Sequence, residues 1–310
     1  MRLTAISRSL DLFADVFESG LTADMRASLA KAGIDLPERR AYGSDDEERA
    51  RHHTVLGYAV LPYGGMFLSD DGLIGGESER VVCDSLVRAG LAPETTGAPP
   101  EHIAGVCRAV ARQLERPAGV HEAANLISGH VLAWVPAFVH AVRRQGAVDY
   151  ADLGDVLIQL FLMTTAAADE VAPANEGRFS SWPEPGEKPP PTQDNDAGIR
   201  EVANYLCTHS LTGFYLGREV VGRVSKDLGA PRGFGSAGLM LGNLLRSAAH
   251  FEALSGLVQA LIDEAESYRA MWQSRARTSP TLAHWSRFWE GRLDRTIQVL
   301  RTLETAPSEA

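Results

Sequence analysis

Residues 233–238 read GFGSAG, the G-x-G-x-x-G spacing whose glycines let a backbone close around a dinucleotide pyrophosphate. That chemistry needs a buried strand just before the first glycine and an acid about 20 residues later, at the end of a second strand. Here the preceding residues are REVVGRVSKDLGAPR, a charged amphipathic segment followed by a proline. Downstream, LMLGNLLRSAAHF and GLVQALIDEAESY have helical spacing. The context is that of a glycine-rich turn opening a helix. Replacing Gly233 and Gly238 is therefore expected to alter stability and leave nucleotide affinity untouched. Calorimetric NAD or FAD binding that disappears in this double variant would reverse the assignment.

The nine histidines invite a metal, but His52 and His53 are adjacent and so point to different parts of a helix surface. His102, His121, His130 and His140 form no H-E-x-x-H or similar ligand pair. There is no G-x-S-x-G elbow, and no P-loop lysine follows a glycine cluster. Asp45–Asp46 and Asp70–Asp71 read as a helix cap and a turn. The expectation is a protein that is not an enzyme and needs no cofactor or metal.

The chain has 310 residues, 45% hydrophobic and 23% charged, enough to build one large core or two modest ones. Its net charge of -10 disfavours nucleic acid, which calls for a basic surface. It suits a partner carrying positive charge. Cys83, Cys107 and Cys207 form no pair motif, which fits a reducing compartment with each thiol acting as a small apolar residue. Asp11, Asp15 and Glu18 interrupt the apolar N-terminal residues, so no signal-peptide core is expected there. No uncharged apolar run of about 18 residues occurs to span a membrane. A cytoplasmic protein is expected.

Helical periodicity runs almost throughout. Leu10, Phe13, Ala14 and Phe17 recur at three-to-four spacing, and Leu21 to Ala32 continues to Gly33. Ser44 with Glu47 three residues on forms a capping box for a helix that Pro62 ends. Further helices are predicted over ESERVVCDSLVRAG, from about Pro100 to Glu115, Val120 to Arg144 and Tyr150 to Ala168. Ser279–Pro280 opens the last. Strand alternation and hairpin signals are lacking, so the fold class is all-α. A stretch with six prolines, DEVAPANEGRFSSWPEPGEKPPPTQDN, has linker chemistry. The expected division is a helical domain at 1–170, a linker at 171–195 and a helical extension at 196–310.

The unusual residues lie in the middle. LPYGGMFLSDDGLIGGE places Tyr63, Met66, Phe67 and Leu68 on what reads as a loop too glycine-rich for a core element. PPEHI puts Glu101 and His102 at a helix start, where an exposed first-turn acid contributes about 0.3–1 kcal/mol. In SGHVLAWVPAFVHAVRR, Ile127, His130, Trp134 and Phe138 share one helix face. That face suits either a core stripe or the wall of a peptide groove, in which aromatics supply area and a polar atom supplies orientation. Met66 and Phe67 would adapt to a variable apolar helix.

With these residues the sequence resembles the TorD/DmsD/NarJ family of molybdoenzyme-maturation chaperones. Three landmarks occur in the family's order. They are a proline-aromatic segment running into an acidic glycine turn (LPYGGMFLSDDGLIGGE), an E-P-x-D-H-type loop (GAPPEHI), and His with Trp at i and i+4 (His130 and Trp134). The resemblance covers roughly residues 1–168 and is strongest from 58 to 160. The leading acid of the loop motif is replaced near Gly97–Ala98, and Glu101 stands where aspartate is usual. Residues 196–305 look like the C-terminal extension of longer members.

The resemblance implies an all-helical cytoplasmic chaperone. Its partner would be the catalytic-subunit precursor of a molybdopterin-containing oxidoreductase, gripped by its twin-arginine signal peptide. Neither nucleic acid nor a membrane span is implied, and a homodimer is compatible. The client-binding residues would be Tyr63, Met66, Phe67, Glu101, His102, His130 and Trp134. On this reading Glu101→Gln with His102→Ala weakens peptide binding about tenfold, 1.4 kcal/mol, with little loss of stability. Two alternatives stay open: a helical scaffold or regulatory protein for another partner, and a nucleotide-dependent enzyme using GFGSAG. A molybdoenzyme gene beside this one would favour the chaperone.

Overall fold

The computed structural model describes residues 2–34, 36, 44–93, 97–116, 119–171, 188, 190–191 and 198–305. It is all-α. Among the described residues the only β-type pairing is one isolated bridge, between Tyr63 and His102. The chain divides into two compact units, Met1–Ser69 with Leu73–Glu184 and Asp70–Gly72 with Pro185–Ala310. The linker expected at 171–195 falls almost wholly outside the described residues.

In the first unit the helices are α1 (Arg2–Ser19), α2 (Ala23–Lys31), α3 (Asp45–Thr54), α4 (Gly64–Leu68), α5 (Glu77–Arg88), α6 (Ile103–Leu114), α7 (Gly119–Leu126), α8 (Leu132–Arg144) and α9 (Val148–Val171). Two π-helical turns interrupt them, Val55–Ala59 after α3 and Ile127–Val131 between α7 and α8. The caps follow from sequence. Thr22 Oγ1 accepts from Met25 N at 3.4 Å, and Ser44 Oγ accepts from Glu47 N at 3.3 Å, each satisfying a donor left unpaired at a helix start.

The periodic residues of α1 are buried: Leu10, Phe13, Ala14 and Phe17 all face the core. An aromatic chain runs through that core. Phe17 meets Phe138 at 6.1 Å between ring centroids, Phe138 meets Phe67 at 6.2 Å, and Phe67 stacks on Trp134 at 5.7 Å. Such pairs add about 0.5–1.5 kcal/mol each beyond the area they bury.

Two stretches are long and apolar enough to cross a membrane by length and composition, Gly119–Arg144 and Val148–Glu170. In the first, 89% of the apolar window is buried inside the unit, so core packing accounts for its character; in the second, 56% is buried.

The second unit contains α10 (Ile199–Leu206), α11 (His209–Thr212), α12 (Arg218–Asp227), α13 (Ala237–His250), α14 (Leu254–Ala276) and α15 (Pro280–Thr305). The last two form an antiparallel hairpin tied by Arg269 to Asp294 at 2.6 Å and Gln273 to Glu290 at 3.4 Å. Its core stacks Trp272 on Trp289, with the buried His209 ring 4.7 Å from Trp289. GFGSAG follows α12 and runs into α13, whose first two residues are its Ala237 and Gly238. Gly233 and Gly235 take φ of 71° and 112°, which favour glycine. Ser236 caps α13 by accepting from Leu239 N at 3.2 Å. A helix, not a strand, precedes the motif.

Candidate functional site

Two segments about 40 residues apart in sequence meet beside α1 and α3. Leu61–Tyr63, leading into α4, lies against Pro99–His102, leading into α6. The Ile103 amide donates to the Pro62 carbonyl at 2.8 Å and the Gly64 amide to the Glu101 carbonyl at 3.1 Å. Tyr63 and His102 pair across this bridge with their rings edge-on at 4.9 Å. The first and second sequence landmarks thus become one structural feature.

A cleft of about 310 Å³ opens beside it, lined by Phe17, Glu18, His52, Leu56, Gly57, Leu61, Pro62, Tyr63, Ala98, Pro99 and His102. Its floor is apolar and aromatic, and among the described residues Glu18 is the one acid lining it. His52 and His102 supply polar ring atoms. His102 Nδ1 accepts from the Ala104 amide at 3.1 Å, so the side chain is the N-cap of α6. A neutral ring in that arrangement carries its proton on Nε2. Burial lowers the His102 pKa to about 4, with Glu18 opposing and His52 and Arg108 reinforcing. His102 is therefore a neutral hydrogen-bond donor at ordinary pH.

Glu101 departs from the sequence expectation. The helix starts at Ile103, so Glu101 is not its first-turn acid, and the residue is only 1% exposed. One carboxylate oxygen accepts from the Gly65 amide at 2.8 Å and the other from the Gly75 amide. Ser78 also bonds to the carboxylate, and its hydroxyl lies 3.1 Å from His130 Nε2. Burial raises the Glu101 pKa against these hydrogen bonds. The carboxylate holds two glycine turns together instead of facing a ligand.

The glycines of this region are there for it. A Cβ on Gly65 would lie 2.4 Å from the Leu73 carbonyl oxygen, and one on Gly64 would lie 2.3 Å from Ser78 Oγ. Gly75 and Gly76 have φ of 93° and 68°, where other residues are strained.

The aromatic wall also lies elsewhere than expected. The glycine-rich stretch forms a short helix, α4, that drives Phe67 into the core with no exposure, against the fully buried Trp134. His130 sits in the π turn and is likewise buried, its pKa lowered to about 4 by burial with Glu77 opposing. Met66 is half-buried on α4. Of the residues read from sequence, Tyr63 and His102 line the cleft. Phe67, Glu101, His130 and Trp134 form the packed layer that supports it. The physical reason is that close glycine approach lets a short helix reach the core, which composition alone does not reveal. Phe67→Ala is accordingly expected to cost about 3–5 kcal/mol of stability in denaturant unfolding, and a loss under 1 kcal/mol would put its ring outside the core.

Glu18 and His52 were missed as site residues. In the sequence Glu18 shows only as a charge interrupting an apolar N-terminus, and His52 only as one of an adjacent pair. Position along the chain, Glu18 one residue after Phe17 on α1 and His52 two turns after the Ser44 cap, does not mark the cleft, which also needs Ala98 and Pro99 from a distant segment. Among the described residues no group of three or more His, Cys, Asp or Glu side chains is placed to hold a metal ion. No protein-family model, no curated protein and no solved structure matches the chain.

Proposed function

We propose that this protein is a non-catalytic chaperone of the TorD/DmsD/NarJ type. It would hold the precursor of a molybdopterin-containing oxidoreductase in the cytoplasm by its twin-arginine signal peptide while the cofactor is inserted. The observation that carries this reading is the meeting of LPYGG and PPEHI, two of the three landmarks, in the bridge that walls the cleft. The chemistry of the cleft agrees. A signal peptide presents two arginines followed by an apolar run. Phe17, Leu61, Pro62, Tyr63 and Pro99 offer the apolar run a surface, and Glu18 is the acid at hand for a guanidinium. His102, as a neutral donor, suits a peptide carbonyl.

The test is calorimetric titration of the full chain with the signal peptide encoded beside its gene. Tyr63→Ala, at the cleft wall, should weaken binding about tenfold, 1.4 kcal/mol, with the fold retained. Wild-type affinity should fall with added salt, since exposed ion pairs are screened. Peptide binding untouched by Tyr63→Ala and by salt would remove the cleft from the recognition surface.

A further inference from the structure

Two imidazoles line the cleft from different elements, His52 from α3 and His102 from the cap of α6. Each has one nitrogen committed to the fold. His52 Nε2 lies 3.0 Å from the Phe17 carbonyl oxygen, in the last turn of α1. A carbonyl only accepts, so Nε2 carries the hydrogen and Nδ1 of the neutral ring carries a lone pair. Burial lowers the His52 pKa, with His53 reinforcing and the Phe17 carbonyl and Glu48 opposing, so the ring is neutral at ordinary pH. His102 is arranged the other way round. Its Nδ1 accepts from the Ala104 amide, and its Nε2 carries the hydrogen. Among the described residues neither His52 Nδ1 nor His102 Nε2 has a hydrogen-bond partner, and neither is sealed from solvent. The rings are near enough for His52 to lower the His102 pKa. The cleft thus offers one open acceptor and one open donor.

We propose that His52 and His102 read the main chain of an extended peptide segment, His102 Nε2–H donating to one of its carbonyls and His52 Nδ1 accepting from one of its amides. This rests on the function proposed above and adds to it the conformation of the bound segment and His52 as a contact. A peptide chain presents one acceptor and one donor per residue whatever the side chains. The interior of a helix has both groups paired within itself and leaves nothing for the imidazoles. Size points the same way. One turn of helix, roughly 10–12 Å across with a 5.4 Å pitch, fills about 500 Å³. The cleft holds about 310 Å³. An extended segment keeps its main-chain groups available and sends successive side chains to opposite sides. Phe17, Leu61 and Tyr63 then receive apolar side chains of varied sequence.

The experiment titrates the full chain with synthetic peptides in which an apolar run follows Arg-Arg and single main-chain bonds of the run are altered in turn. An ester in place of an amide deletes one N–H; an alkene deletes the carbonyl as well. At one position the ester should weaken binding to wild type about tenfold and leave binding to His52→Phe unchanged, since the acceptor is already gone. Where the carbonyl is read, the alkene should cost about tenfold more than the ester. His102→Asn, which keeps an N-cap acceptor for α6, should cancel that excess. Losses equal in wild type and both variants at every position would overturn the proposal and leave the peptide-binding function standing.

N-acetylleucine methylamide serves as a second probe that needs neither a signal peptide nor a variant, read by ¹⁵N NMR of the two imidazoles. His52 Nδ1 and His102 Nε2 should both shift saturably. The fully N-methylated analogue keeps both carbonyls and lacks any N–H, so it should shift His102 alone. That outcome supports main-chain reading even if the chain binds no signal peptide, in which case only the chaperone function falls. A His52 ring unmoved by the amide, or moved equally by the methylated analogue, sinks the proposal, and so does an unmoved His102.

Discussion

Glu101→Ala is expected to lower the stability of the first unit by about 3–5 kcal/mol, far more than an exposed first-turn acid could account for. The carboxylate is buried and accepts hydrogen bonds from the Gly65 and Gly75 amides, one on each oxygen. Truncation leaves both amides without an acceptor, and each orphaned buried donor costs about 1–3 kcal/mol. Glu101→Gln should be nearly as damaging. Its amide has a single oxygen, so its NH₂ would face one of the two backbone N–H groups donor to donor. This replaces the sequence expectation that Glu101→Gln with His102→Ala would fold almost normally. Denaturant unfolding gives the size of the effect, and hydrogen exchange at Gly65 and Gly75 gives its place. Both amides should exchange much faster in the variants. A loss within 1 kcal/mol, with both amides still protected, would return Glu101 to the role of an exposed acid.

The contrast between Glu101 and the helices around it marks what the sequence disclosed. Periodicity located the long helices because a buried stripe such as Leu10, Phe13, Ala14 and Phe17 repeats with the helix turn. The caps at Ser44 and Ser279 were legible because hydroxyl residues at those positions satisfy backbone donors locally. The π turns were not legible, since one extra residue in a turn leaves the pattern of apolar residues nearly unchanged. The candidate site was half legible. LPYGG and PPEHI stood out by composition, but their pairing is a contact between residues distant in sequence. Which side of Glu101 or Phe67 faces solvent depends on that contact. Glu18 could not be assigned to the cleft before α6 and the Gly97–Pro100 loop were in place around it.

Acid should destabilise the first unit between about pH 6.5 and pH 4, and His102 and His130 should carry most of the loss. Both rings are buried, and burial lowers each pKa from the ordinary 6.5 to about 4. In the unfolded chain they take up protons near pH 6.5; in the folded protein they resist until about pH 4. The stability they contribute is thus fully present above pH 6.5 and is lost as the pH falls through the folded values. The loss is on the order of 3 kcal/mol for each ring.

Geometry gives the same direction. Protonating His102 Nδ1 would abolish the cap it provides to Ala104 and place a cation at the positive end of α6. Glu101 acts in the opposite sense. Its pKa is raised by burial, so its contribution grows as the pH falls through its folded value, and it blunts the acid loss. The decisive comparison is wild type against His102→Asn with His130→Gln, since asparagine retains an N-cap acceptor without titrating in this range. Denaturant unfolding at pH 7.5, 5.5 and 4.5 should show a steep fall for wild type and a shallow one for the double variant. Equal slopes would mean that neither imidazole is held neutral by the fold, and the neutral donor assigned to the cleft would go with them.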